Sequence, residues 1–99
     1  MGRYDHVKYD RLPEKFHESF RMYIEEGYMP GGFLTAILEG NLFETVGAAD
    51  SFNEELITVI VRWVYNEAPS LCWGNPEKVR AWHERYFPPK DRVAGERLT

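Results

Sequence analysis

Apolar residues fall into clusters along the chain, and each cluster keeps the three-to-four-residue spacing of a helix. Phe16, Phe20, Tyr23 and Ile24 recur at i, i+4, i+7 and i+8 behind Pro13, which suits a first helical position, and Gly27 is a natural left-handed stop. A second short helix is expected after Pro30-Gly31-Gly32, with Phe33, Leu34, Ile37 and Leu38 inward and Gly40 closing it. Asn41 with Glu44 three residues on resembles a capping box, opening a brief third helix through Leu42, Phe43 and Val46.

The longest pattern runs over residues 51–68. Ser51 and Glu54 form a second capping-box signature, and Leu56, Ile57, Ile60, Val61, Val64 and Tyr65 hold helical spacing until Pro69. The β-branched run "ITVIV" also has strand character, but the paired apolar positions repeat every three to four residues under one cap, so a helix is predicted. Asn75 is then an N-cap and Pro76 a first-turn residue for a last helix lined by Val79, Trp82, His83 and Tyr86 and ended by Pro88-Pro89. The expectation is an all-α fold: one compact domain of about five short helices over 13–89, an N-terminal arm over 1–12 and a flexible C-terminal tail over 90–99. No internal repeat or heptad series is present.

The 99 residues are 43% hydrophobic and 15% aromatic, enough for one packed interior without disulfide or metal. Cys72 is the sole cysteine, so an intramolecular disulfide is excluded and a reducing cytoplasm is the expected compartment. No apolar run reaches membrane-spanning length, and the N-terminus lacks the apolar stretch of a secretory signal.

Net charge is −4, and its distribution is uneven. Between residues 22 and 60 lie Glu25, Glu26, Glu39, Glu44, Asp50, Glu54 and Glu55 without one lysine or arginine. Direct binding to duplex DNA is not expected, because it needs phosphate-neutralising cations on the contact face. A basic protein partner fits that stretch, with Glu25, Glu26, Glu54 and Glu55 as its acidic surface, and so does plain solvation.

Catalytic and metal chemistry find little support. Cys72 lacks any signature of a nucleophile, and a buried packing role is expected. His6, His17, His83 and Cys72 stand at no metal-ligand spacing. The adjacent acids Glu25-Glu26 and Glu54-Glu55 project about 100° apart on a helix and so do not converge as an acid–base pair. Two features keep a binding role open. The turn Pro30, Gly31, Gly32, Phe33 places free backbone N–H groups before a helix, where a phosphate or carboxylate fits as readily as a tight interhelical turn does. The aromatic C-terminal half, with Trp63, Trp73 and Trp82 near Arg62, Arg80 and Arg85, serves equally as core, as a stacking platform or as an interface.

The ordered blocks "PGGFLTAILEGNLFETVGAAD", "VRWVYNEAPS" and "CWGNPEKVRAW" resemble a family of small uncharacterised proteins of tailed bacteriophages and prophages. The resemblance covers roughly residues 12–83. Gly40 departs from it, standing where a polar residue such as Asn is expected. The resemblance supplies no activity and no catalytic residue. It implies a context in the host bacterial cytoplasm, where small acidic phage proteins block host defences by covering an effector or sequestering a nucleotide signal.

Three functions follow as expectations. One is a non-catalytic accessory binding protein, host-directed, that takes a partner protein or a small anionic, nucleotide-like ligand at Pro30, Gly31, Gly32, Phe33, Trp73, Gly74, Asn75, Lys78 and Trp82. The second is an acidic mimic of nucleic acid that inhibits a host nuclease or DNA-binding complex. The third is a structural interaction module. No cofactor is expected, and self-association into a homodimer or larger homo-oligomer is plausible because short helices leave apolar edges uncovered.

Overall fold

The computed structural model describes residues 7–89; the expected tail over 90–99 and residues 1–6 of the expected arm lie outside the described residues. Within them the fold is all-α. Six α-helices follow one another: α1 (His17–Glu26), α2 (Gly32–Glu39), α3 (Leu42–Ala48), α4 (Ser51–Glu54), α5 (Ile57–Glu67) and α6 (Pro76–Tyr86). Short 3-10 turns cover Tyr9–Arg11, Glu14–Phe16 and Ser70–Cys72.

Pro13, expected as a first helical residue, instead stands just outside as the cap of a 3-10 turn over Glu14–Phe16, with ψ 137°, and α1 begins only at His17. Phe16, Phe20, Tyr23 and Ile24 are all buried, and Gly27 ends α1 at φ 78°. The close approach of α6 adds a second reason for glycine there: a Cβ on Gly27 would lie 2.4 Å from the ring of Tyr86. Asn41 and Asn75 cap α3 and α6 as expected, each accepting from the N–H three residues on, of Glu44 at 3.0 Å and of Lys78 at 2.8 Å.

Three features differ from the sequence reading. The helix expected over 51–68 is two helices. Asp50, not Ser51, is the N-cap, its carboxylate accepting from Asn53 N–H at 2.7 Å. The turn then tightens, with Leu56 N–H donating to Asn53 at i−3, before the regular ladder resumes from Leu56. Within α5, Ile60, Trp63 and Val64 are buried while Val61 and Tyr65, expected inward, face solvent. Area explains the choice: an indole removes about 150–250 Å² from water when buried, far more than a valine can. Trp63 packs against Phe20 and Tyr9, with ring centroids at 5.1 and 5.7 Å.

The second difference is the N-terminal segment. Residues 7–12, expected within an arm, belong to the core: Val7 and Leu12 are buried, and the Trp63 indole N–H donates to the Lys8 carbonyl at 2.9 Å. Lys8 N–H donates to Glu67, and the Tyr9 hydroxyl donates to Glu25 at 3.0 Å. A strap thus crosses from α5 to α1.

The third is the direction of α3. The helix forms where predicted and packs on α2, yet Thr45 is its one buried residue. The Thr45 hydroxyl donates to the Asn41 carbonyl one turn back at 2.7 Å, so its burial leaves no polar group unpaired. Leu42, Phe43 and Val46 point into solvent.

Candidate functional site

The stretch 70–82 is a corner held from three sides. Pro69 ends α5, the 3-10 turn brings Cys72 inside, and Gly74 at φ 130° lets the chain swing into the Asn75 cap. The Tyr23 hydroxyl donates to the Cys72 carbonyl at 2.7 Å, and Gly74 N–H donates to the Leu38 carbonyl at 2.8 Å. Gly40 lies against the Gly74 carbonyl, so the C-terminal end of α2 abuts this corner. Burial pushes the Cys72 thiol up to about 12, which leaves it protonated and unreactive at neutral pH, as a packing cysteine should be.

The nine expected ligand residues do not come together. Pro30, Gly31, Gly32 and Phe33 lie at the N-terminal end of α2, while Trp73 and Gly74 lie at its C-terminal end, about 12 Å away along eight residues. Gly31 caps α2 without a side chain, and both Gly31 and Gly32 border open space. Trp82 is a core residue: its indole N–H donates to the Tyr23 carbonyl at 3.0 Å, and the Arg85 guanidinium covers its ring at 4.6 Å. Lys78 folds back over Gly74 and donates to the Ser70 carbonyl, fastening the corner. Trp73 alone of the three indoles is half-exposed, its ring 5.9 Å from that of Tyr65.

The acidic residues are likewise divided. Glu25 accepts from Tyr9, and Glu26 pairs with Arg21, which also holds Glu18 at 2.8 Å. Glu54 and Glu55 are exposed in the α4–α5 turn. Lys15 donates to Asn53 and stacks over Phe52, so a cation from outside the acidic stretch folds onto it. Among the described residues, no three His, Cys, Asp or Glu side chains gather to hold a metal ion. His17 and His83 each bond a backbone carbonyl, of Leu12 and of Gly27 at 2.6 Å. No described helix is long and apolar enough to cross a membrane.

The structure also presents large apolar side chains to solvent. Phe43 on α3 and Phe52 on α4 are 89% and 61% exposed, and Leu42 and Val46 accompany them. Beside the α2–α3 joint, Ile37, Val61, Val64, Tyr65 and Trp73 line a groove of about 170 Å³ whose floor ends at Gly40 and Gly74. A second groove of about 300 Å³, between Arg11 on the strap and Arg62 and Glu67 on α5, is mixed in charge. None of Leu42, Phe43, Val46, Phe52, Val61 and Tyr65 belongs to the site expected from sequence. No local signal marks them as outward: Leu42, Phe43 and Val46 span one arc of about 100° on α3, as a core-facing stripe does.

Compared with protein-family models, curated proteins and solved structures, the chain matches none.

Proposed function

We propose that this chain is a small non-catalytic accessory binding protein of the tailed-phage kind, directed at the host and acting by binding a partner protein. The observation that carries this reading is that Leu42, Phe43 and Val46 of α3 and Phe52 of α4 are all exposed. Large aromatic and aliphatic side chains gathered in solvent are characteristic of contact surfaces. The phage and host-directed parts of the proposal rest on the resemblance of the sequence blocks.

A photo-cross-linker placed at Phe52 in phage-infected cells tests it. The expected adduct contains a host protein and is competed away by unlabelled wild-type chain. Adducts containing only copies of the chain overturn the host-directed part, and no protein adduct overturns the whole reading.

The alternative of a small anionic ligand draws on the open N-terminal end of α2 at Gly31 and Gly32. Adenosine monophosphate and inorganic phosphate are its probes, and a melting shift lost in Gly32→Val is its expected signature. An unchanged melting temperature with both probes eliminates it.

A further inference from the structure

The outward face of α3 and the groove lined by α2, α5 and the corner stay apart within one copy. Phe43 projects into solvent from the first turn of α3, while the groove of Ile37, Val61, Val64, Tyr65 and Trp73 opens next to Gly40, three residues before it in sequence. We propose that the occupant of this surface is a second copy of the chain, with Phe43 of each copy seated in the Tyr65–Trp73 groove of the other. This inference rests on reading the exposed residues as protein-binding; it gives Phe43 to a second copy and leaves Phe52 on α4 to the host partner.

Size supports it. The groove holds about 170 Å³, and an apolar cavity of roughly 150 Å³ takes one benzene ring, so one phenyl group fits. Charge supports it too. Glu44 is the only charged residue of α3, and no Asp, Glu, Lys, Arg or His lines the groove. A pair of identical surfaces therefore meets without repulsion, whereas an oppositely charged partner would find little to pair with.

Area is the third argument. Leu42 is 67% exposed, Phe43 89% and Val46 48%, with Val61 at 46% and Tyr65 at 72%. At about 200 Å² for each side chain this amounts to roughly 640 Å², within the ~600–1,000 Å² that each partner contributes to a stable interface. Finally, a seven-residue helix with one buried side chain is marginal in water on its own, and a neighbouring copy would supply the packing that α3 lacks.

Light scattering during size exclusion tests the proposal. The wild-type chain should elute with at least twice the 11.6 kDa of one chain. Phe43→Asp and Tyr65→Lys should each elute at half the wild-type mass or less. Both changes are gentle to the fold: the first puts an acid in the first turn of α3 and the second a cation in the last turn of α5, as the helix dipoles favour. Far-ultraviolet dichroism confirms that each variant remains helical, and where one does not, Phe43→Ser replaces it. A monomeric wild type overturns the proposal, as does an oligomer that survives both substitutions. Neither result touches the cross-link to a host protein, so failure of this inference and failure of the protein-binding reading are separately visible.

Discussion

The buried hydroxyl of Tyr23 donates to the backbone carbonyl of Cys72 at 2.7 Å, joining residues 49 apart in sequence. The Tyr23 carbonyl in turn accepts the Trp82 indole N–H at 3.0 Å, so one residue of α1 holds both the corner before α6 and α6 itself. Tyr23→Phe removes the first bond without changing the ring. The expected cost is about 1–3 kcal/mol, because the Cys72 carbonyl is left in an apolar setting. A urea titration followed by tryptophan fluorescence measures it, and an unchanged midpoint would show that the bond contributes nothing net.

Alkaline pH should destabilise the fold through the same corner. Burial raises the Cys72 thiol from its ordinary 9.0 to about 12, so above pH 9 the unfolded chain sheds this proton while the folded chain keeps it. The stabilisation is complete below pH 9 and is lost as pH rises toward 12, at up to about 1.4 kcal/mol per pH unit. Burial also raises Tyr9 and Tyr23, steepening the decline above pH 10, the ordinary phenol value. Urea midpoints taken at successive pH values should fall from pH 9 upward, and Cys72→Ala should flatten the portion between 9 and 10. In the folded protein at neutral pH, Cys72 should resist alkylation until denaturant is added.

The N-terminal strap depends on Trp63. Trp63→Phe keeps an aromatic group beside Phe20 but loses the 2.9 Å bond to the Lys8 carbonyl. That bond is worth about 0.5–1.5 kcal/mol. Amide hydrogen exchange over residues 7–12 should quicken more than exchange in α1. Uniform quickening would mean that the strap and the core open together.

Glycine at position 27 is required twice over, by its φ of 78° and by the Tyr86 ring. Gly27→Ala should cost about 1–2 kcal/mol for the backbone conformation alone, with the displaced ring adding more. Thermal melts of Gly27→Ala against Gly32→Ala make the comparison, since a Cβ on Gly32 meets nothing.

Charge should matter little to partner binding. Glu54→Lys with Glu55→Lys should change affinity by no more than about twofold, because exposed charges contribute little beside an apolar contact. A steep loss of affinity with salt, or abolition by that double reversal, would instead restore the acidic-mimic alternative.

The parts of the fold readable in the sequence are those fixed by local chemistry. Gly27 and Gly40 stop helices, Asn41 and Asn75 cap them, and the Phe16–Ile24 stripe is buried because one spacing allows one face. The stripe of α5 was ambiguous for a physical reason. Leu56, Ile60 and Val64 fit a helical face with either Val61 or Trp63, and packing against Phe20 and Tyr9, remote in sequence, chose Trp63. Nothing local marks the break at Leu56: residues 51–68 hold no glycine or proline, and the tightened turn shows only in the bond from Leu56 N–H to Asn53. The site was less legible still. Local patterning marks Leu42 and Phe43 as apolar, but it cannot say whether their cover comes from the same chain. Nor does it show that the Pro30–Phe33 turn and Trp73 occupy opposite ends of α2.

Within α3 and α4, only Thr45 is enclosed by the rest of the fold. The two helices are therefore nearly released from the demands of folding: their outward residues can be exchanged one at a time while the core stays intact. Ten of the eleven positions in these helices are open to substitution at little cost to the interior.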